Sequence, residues 1–416
     1  MNMAKMTVKE ELGADGSPAG VELEVSTPLT DPFDPNSISI EPKQVTMDHL
    51  LRRLRQGSIR LAPSFQRQFV WDQARSSQLI ESLMLRIPLP MFYVSANEDG
   101  SWDVVDGLQR LTTIRNYLLG EEKNKDGSPS VPGAKAFALE KLEFWGARFN
   151  GKRFSQIESD KANARIINNI METELRFTVI NPATPEEVKR NIFKRINNTG
   201  GMPLTAQEIR HALYQGQASQ LLEELVRSPM FLAAIGKVLD DSRMAVRELV
   251  LRFLAFSIRS PETYSGDMDG FLSDTMRLIN HMPELSEAQM KKIFPKQALP
   301  TVRQFNRTEI TARFDLAMQR CFNFFGEFAF RKAVPGMRRT PINKALFDTW
   351  ANLLADMPDK NFRKLTSRKV KFLAAYKKLL ADDEFERAIS REALSVAGTL
   401  DRYQRLEALL KQTLGQ

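Results

Sequence analysis

The segment Ser101–Gly120, SWDVVDGLQRLTTIRNYLLG, holds residue types that can manage an anion. A valine-rich strand ends at Asp106-Gly107, and a helix starts about Gln109 with Leu111, Ile114 and Leu118 turned inward. Because glycine lacks a Cβ, Gly107 lets the backbone turn so that the first helical amides, reinforced by the helix dipole, face a phosphate. Arg110 adds a planar, permanently charged fork, Gln109 stands beside it, and Asp106 can hold a hard cation or orient a water. The same residues also make an ordinary turn, with Asp106 as N-cap, Gly107 as turn residue and Arg110 as a surface charge.

Two further clusters carry polar groups in suggestive places. Phe65–Asp72 sets Gln66 and Arg67 among apolar residues, although packing alone accounts for Phe69, Val70 and Trp71 and leaves Arg67 as a solvated flank. In Arg195–Glu208, Asn197 and Asn198 lie on a glycine-bounded loop where they can bond ribose, base or phosphate, while Thr205 and Glu208 have the spacing of a capping box. The stretch Lys360–Lys378 carries eight cations and no acid. Lys364, Arg368, Lys369 and Lys371 are its candidate nucleic-acid contacts, although a solvated helix face explains the run as well.

The elements that must position these groups fall into two styles. From Ile38 a strand leads into a helix bearing Leu50, Leu51 and Leu54. Residues 76–86 read as a helix behind a serine cap, and Ile87-Pro88-Leu89-Pro90 forces an extended exit. Met91–Ser95 and Trp102–Val105 read as strands around the turn Asn97–Gly100; Phe137–Leu139, Lys152–Phe154 and Leu175–Ile180 read as further short strands. Beyond Pro185 the apolar spacing is helical almost throughout. Three regions follow: a flexible acidic tail over residues 1–36, an α+β domain over 37–184 and a helical domain over 185–416.

Composition excludes several classes. The 416 residues contain one cysteine, Cys321, and three histidines, so disulfides, a cysteine-rich zinc site and most histidine-ligated metal sites are not expected. No window is apolar enough for a membrane span and the first residues lack a secretory pattern, so the chain is expected in the cytoplasm. Net charge is +8, but residues 1–42 carry two lysines against eight acids, which leaves the remainder strongly basic and suited to polyanions.

FQRQFVW at 65–71, SQLIESLMLRIPLPMFYV at 77–94, VVDGLQRLTTI at 104–114 and FKRINNTGGMPLTAQEIRHALY at 193–214, in this order, resemble the GmrSD-type restriction endonuclease N-terminal domain. That family was long filed as domain of unknown function 262 (DUF262) and is related to the ParB/sulfiredoxin fold. The resemblance covers about residues 38–260. It implies an α+β protein: a small ParB-like mixed α/β domain followed by a mainly α-helical half. It also implies nucleoside triphosphate binding and metal-assisted hydrolysis, with Mg²⁺ or another divalent cation, in anti-phage defence or DNA restriction.

The family's Asp-Gly-x-Gln-Arg motif falls on Asp106, Gly107, Gln109 and Arg110, and its Gln-Arg pair falls on Gln66 and Arg67, lining the same pocket. DNA and a separate nuclease or defence-system protein are the implied partners. Members often carry an HNH nuclease; here no histidine follows His281, so an HNH nuclease is not expected. The alternatives are a non-catalytic DNA-binding or regulatory nucleotide sensor, and a ParB-like nicking nuclease.

Overall fold

The computed structural model describes residues 9–13, 15–24, 38–61, 71–197, 204–236, 241–295 and 298–415. Two short strands come first, β1 (Glu10–Leu12) and β2 (Pro18–Glu22), paired antiparallel. There follow β3 (Ile40–Thr46), α1 (Met47–Arg55), β4 (Ile59–Arg60), α2 (Gln73–Met84), β5 (Phe92–Ala96), β6 (Trp102–Asp106) and α3 (Leu108–Leu118). The short helices α4 (Gly146–Phe149), α5 (Phe154–Glu158) and α6 (Ala164–Met171) lead to β7 (Glu174–Ile180) and α7 (Glu186–Asn197). Everything regular after α7 among the described residues is helical.

The chain divides into an α+β unit, Asp31–Leu204 with His211–Leu213, and a helical unit, Met1–Thr30, Thr205–Arg210 and Tyr214–Gln416. In the α+β unit the strands lie in the order β3-β7-β5-β6-β4, antiparallel for β3/β7 and β5/β6 and parallel for β7/β5 and β6/β4. Strand residues alternate between faces. Phe92, Val94, Trp102, Val104, Phe177 and Val179 share one buried cluster with Leu79, Ile80 and Leu83 of α2 and with Leu111 and Ile114 of α3. Phe92 stacks on Phe177 at 5.0 Å, which ties the centre of the sheet to the strand that leads into α7. Asp72, in extended backbone, caps α2 by accepting from the Arg75 amide at 2.7 Å; the helix therefore starts a turn ahead of the expected serine cap.

In the helical unit, helix Ala245–Ile258 is buried over most of its length against Lys344–Asp356. Charges inside this core are paired. Arg252 donates to Asp348 at 3.0 Å and to Glu24 at 2.7 Å, and Arg402 reaches the other Asp348 oxygen at 3.3 Å. Lys344 bridges Glu248, at 2.6 Å, and Glu11, while Glu248 also accepts from Arg210 at 2.8 Å. Burial opposes ionisation of Glu248, but Lys344 and Arg210 outweigh it and hold the carboxyl at about 2. The Thr205–Glu208 capping box forms as expected, with bonds of 2.7 and 3.1 Å.

Several expectations change. Glu10–Glu24 is not a flexible tail: β2 is tied to Ile342 by two backbone bonds of 2.8 and 3.0 Å, Val21 is fully buried, and Glu11, Glu22 and Glu24 are partners of Lys344, Lys332 and Arg252. The acids that suggested solvation are used to neutralise buried cations. Phe137–Leu139 is irregular rather than a strand, held through Leu139 to Lys152 and Gly151, and Phe154 starts α5. The basic stretch is two helices, Asp359–Ser367 and Lys369–Leu380, broken at Arg368. Pro229 is the first residue of helix Pro229–Ile235, where a missing N–H costs nothing.

Candidate nucleotide site

The site is built at the step from β6 to α3. Trp102 and Val104 anchor one face of β6, and the strand ends on Asp106, whose side chain is 41% exposed. Gly107 then takes φ +94°, a left-handed conformation that favours glycine. A Cβ at this position would sit 2.4 Å from the Phe92 ring and 3.0 Å from the Arg110 guanidinium. Glycine is thus required twice, by conformation and by space. Gly107 is the N-cap of α3 and makes no side-chain cap bond to the first-turn amides. Asp106 is not the N-cap.

Arg110, only 12% exposed at its side chain, has three N–H groups engaged inside the fold. It donates to Asp106 Oδ2 at 3.0 Å, to the Met91 carbonyl at 3.2 Å and to the Pro90 carbonyl, and lies 4.4 Å over the Phe92 ring. Burial pushes the guanidinium below its ordinary value and Asp106 opposes the shift. The expected phosphate fork is instead a clamp that fixes Asp106 against the β5 edge. Sequence reasoning missed the Pro90 and Met91 carbonyls; the signal was the Ile87–Pro90 run, because extended backbone before β5 leaves carbonyls turned outward.

Among the described residues the buried side-chain oxygen of Gln109 has no hydrogen-bond partner, nor do those of Thr113 one turn on and Ser76 of α2. Unsatisfied buried acceptors are costly, so this face of α3 holds unused polar capacity. Asp103, on the other face of β6, accepts from Asn97 at 2.7 Å with Arg60 at 3.9 Å. Burial raises its carboxyl above the usual range, against the Asn97 bond and Arg60.

The structure brings Asp106, Gly107, Gln109 and Arg110 into one junction. Gln66, Arg67 and Asn198 lie outside the described residues, as does the side chain of Asn197, whose backbone ends α7. Among the described residues no group of three or more His, Cys, Asp or Glu could hold a metal ion. Asp106 still fits one style of cation site, because Mg²⁺ is commonly held by one or two carboxylates together with substrate phosphates. No described helix is long and apolar enough to cross a membrane.

Glu81, buried in α2, accepts from the amides of Glu143, Phe144 and Trp145 at 2.8 to 2.9 Å and pins that loop. Its role is architectural.

No curated protein matches the chain. Residues 48–215 match the model of the GmrSD restriction endonuclease N-terminal domain, and that span contains the whole of the junction just described. The match associates the domain with restriction-type, defence-related function, and with DNA at the level of the family's name. Residues 48–215 of this chain are therefore similar to the GmrSD restriction endonuclease N-terminal domain.

Proposed function

We propose that this domain binds a nucleoside triphosphate at the β6–Gly107–α3 junction and hydrolyses it with the help of a divalent cation, as part of a restriction or defence system. The observation that carries the reading is the junction itself: a helix N-terminus without a side-chain cap, beside a half-exposed carboxylate held rigid by Arg110. Anions favour such a terminus, and phosphoryl transfer depends mainly on positioning and charge neutralisation. A cation held by Asp106 and the phosphates would neutralise charge on the transferring group. The first-turn amides of Leu108, Gln109 and Arg110 bind phosphate oxygens, and Arg67 supplies a further positive charge. Gln109, whose unpaired oxygen gains a donor when its side chain turns toward the ligand, orients the attacking water. That water forms a bond to the γ-phosphorus as the bond to the β–γ bridging oxygen breaks.

One observation favours a second reading, a sensor that binds nucleotide without turnover: three N–H groups of the Arg110 fork are already used inside the fold. Phosphate release from the four common triphosphates with Mg²⁺, beside calorimetric binding of each, separates the two. Hydrolysis that falls ~10²–10³-fold in Asp106→Ala supports the enzyme. Binding without release supports the sensor, and failure to bind any triphosphate removes both. Nicking of plasmid DNA that survives Asp106→Ala and Arg110→Ala would instead mark an independent nuclease.

A further inference from the structure

The basic stretch of the helical unit becomes sharper once its two helices are seen. In Asp359–Ser367 the exposed cations Lys360, Arg363 and Lys364 recur at three- and four-residue spacing while Leu365 is buried. In Lys369–Leu380 the exposed positions Lys371, Lys377 and Lys378, together with Val370 and Ala374, lie opposite buried Phe372 and Tyr376. Arg368 and Lys369 do not belong to these faces in function. Arg368 donates to the Thr413 carbonyl at 2.6 Å, and Lys369 reaches the Asn323 carbonyl at 3.4 Å with Phe324 5.7 Å away, so both fix the corner between the helices. Both helices rest on Val396–Leu414, which makes the corner a supported surface.

No carboxylate neutralises the six outward cations among the described residues. No acid lies between Lys360 and Leu380 in the sequence. Of the nearest acids in sequence, Asp359 pairs with Arg320 and Asp382 and Glu384 with Arg405, while Asp383 stands exposed.

We propose that this corner binds the phosphate backbone of duplex DNA without reading its sequence. The inference is independent of nucleotide hydrolysis, and the corner lies outside the 48–215 match. Lysine ammonium groups are point charges suited to backbone phosphates and carry no base code. At 1.5 Å per residue each helix spans roughly 14–18 Å, enough to face several phosphates of a duplex. Single-stranded nucleic acid calls for stacking platforms, but Phe372 and Tyr376 are buried here, and the half-buried Phe362 ring has the Arg320 guanidinium over it at 5.1 Å. A lipid surface calls for an apolar helix face, and the only large apolar side chain standing out is Val370, at 85% exposure. Duplex DNA is chosen over duplex RNA because residues 48–215 of the same chain are similar to a restriction endonuclease domain.

The test is fluorescence anisotropy of the full chain with a short mixed-sequence duplex, without nucleotide, over about 50–200 mM salt. In the triple variant Lys371→Glu, Lys377→Glu, Lys378→Glu, affinity should fall steeply and the salt slope should shrink by about 3, because each phosphate left without its cation removes about 0.9 from the slope. A neutralised variant, Lys360→Gln, Arg363→Gln, Lys364→Gln, should show a similar reduction in slope while melting like the parent. It decides the matter if charge reversal disturbs folding. Reversal of the exposed Lys123, Lys125 and Lys161 in the α+β unit should leave the slope unchanged. Unchanged slopes in both corner variants, an equal reduction in the control, or corner-dependent binding of duplex RNA or phosphatidylserine vesicles in place of DNA would each overturn the proposal. Triphosphate turnover measured on the same variants keeps this outcome separate from that of the nucleotide site.

Discussion

The junction at Asp106 and the buried network around Arg252 are built from the same chemical pair, an arginine and a carboxylate, yet they differ in what the pair leaves over. In the network both Arg252 and Asp348 are fully buried, and their charged partners are other side chains of the fold. At the junction Arg110 is buried, but Asp106 keeps a solvent-facing side. An ion pair closed on all sides serves structure, whereas one open on its acidic side keeps chemistry available. Residue type and spacing did not separate the two. Burial does.

The contrast is broken most strongly from the closed side. Arg252→Ala removes the ion-pair partner of Glu24 and leaves Asp348 with Arg402 alone, and breaking a buried pair costs about 3–5 kcal/mol. Urea unfolding should show that loss. A single variant as stable as the parent would mean the pair is not buried as described.

Asp106→Asn should do the reverse, leaving the melting temperature nearly unchanged because a half-exposed pair contributes at most about 1 kcal/mol. Phosphate release should nevertheless fall ~10²–10³-fold, the loss usual for one charge-stabilising group. A large drop in melting with unchanged turnover would make Asp106 structural.

Gly107→Ala comes next. The strained backbone alone costs about 1–3 kcal/mol, and the Cβ must also displace Phe92. Thermal melting together with near-UV circular dichroism of the aromatic cluster reads both effects. Unaltered spectra and stability would remove the requirement for glycine.

The smallest effects distinguish the regions by the sign of their pH dependence. Glu248 is held at about 2 against its ordinary value of 4.5, so its contribution is present above 4.5 and is lost as pH falls toward 2. Glu248→Gln should therefore flatten that acid limb. Asp103 has a raised carboxyl, so the folded state keeps its proton longer and stability falls as pH rises through the shifted range. Asp103→Asn should gain relative to the parent at neutral pH, with the gain vanishing in acid. Chemical unfolding across pH tests both slopes; parallel curves for either variant would refute its assignment.

Much of the α+β unit was legible because its signals are local. The strand-to-helix step at Asp106-Gly107, the paired strands around Asn97–Gly100 and the Thr205–Glu208 box each lie within a few residues, and the structure has them where spacing puts them. The engagement of Arg110 was not legible. Its partners are carbonyls of Pro90 and Met91, and a backbone carbonyl is offered by every residue whatever its side chain. The hairpin β1–β2 was hidden for a related reason: Glu11, Glu22 and Glu24 read as solvated acids until Lys344, Lys332 and Arg252 are brought to them from far along the chain. Charge alone cannot announce a partner hundreds of residues away. The split of the basic stretch at Arg368 escaped because lysine and arginine suit helix interiors and ends equally.

That distance has a consequence for how the protein is made. Glu24 and Arg252 are separated by 228 positions, and the entire α+β unit is encoded between them. At the usual 5–20 residues per second of translation, the glutamate leaves the ribosome roughly 10–45 s before its arginine exists. The α+β unit is complete in that interval and can fold first, while the acidic strands wait with unpaired edges. Closing the helical unit is therefore a late event that needs both flanks of the inserted unit, and a ribosome stalled near residue 240 would hold a finished α+β unit beside a helical unit unable to close.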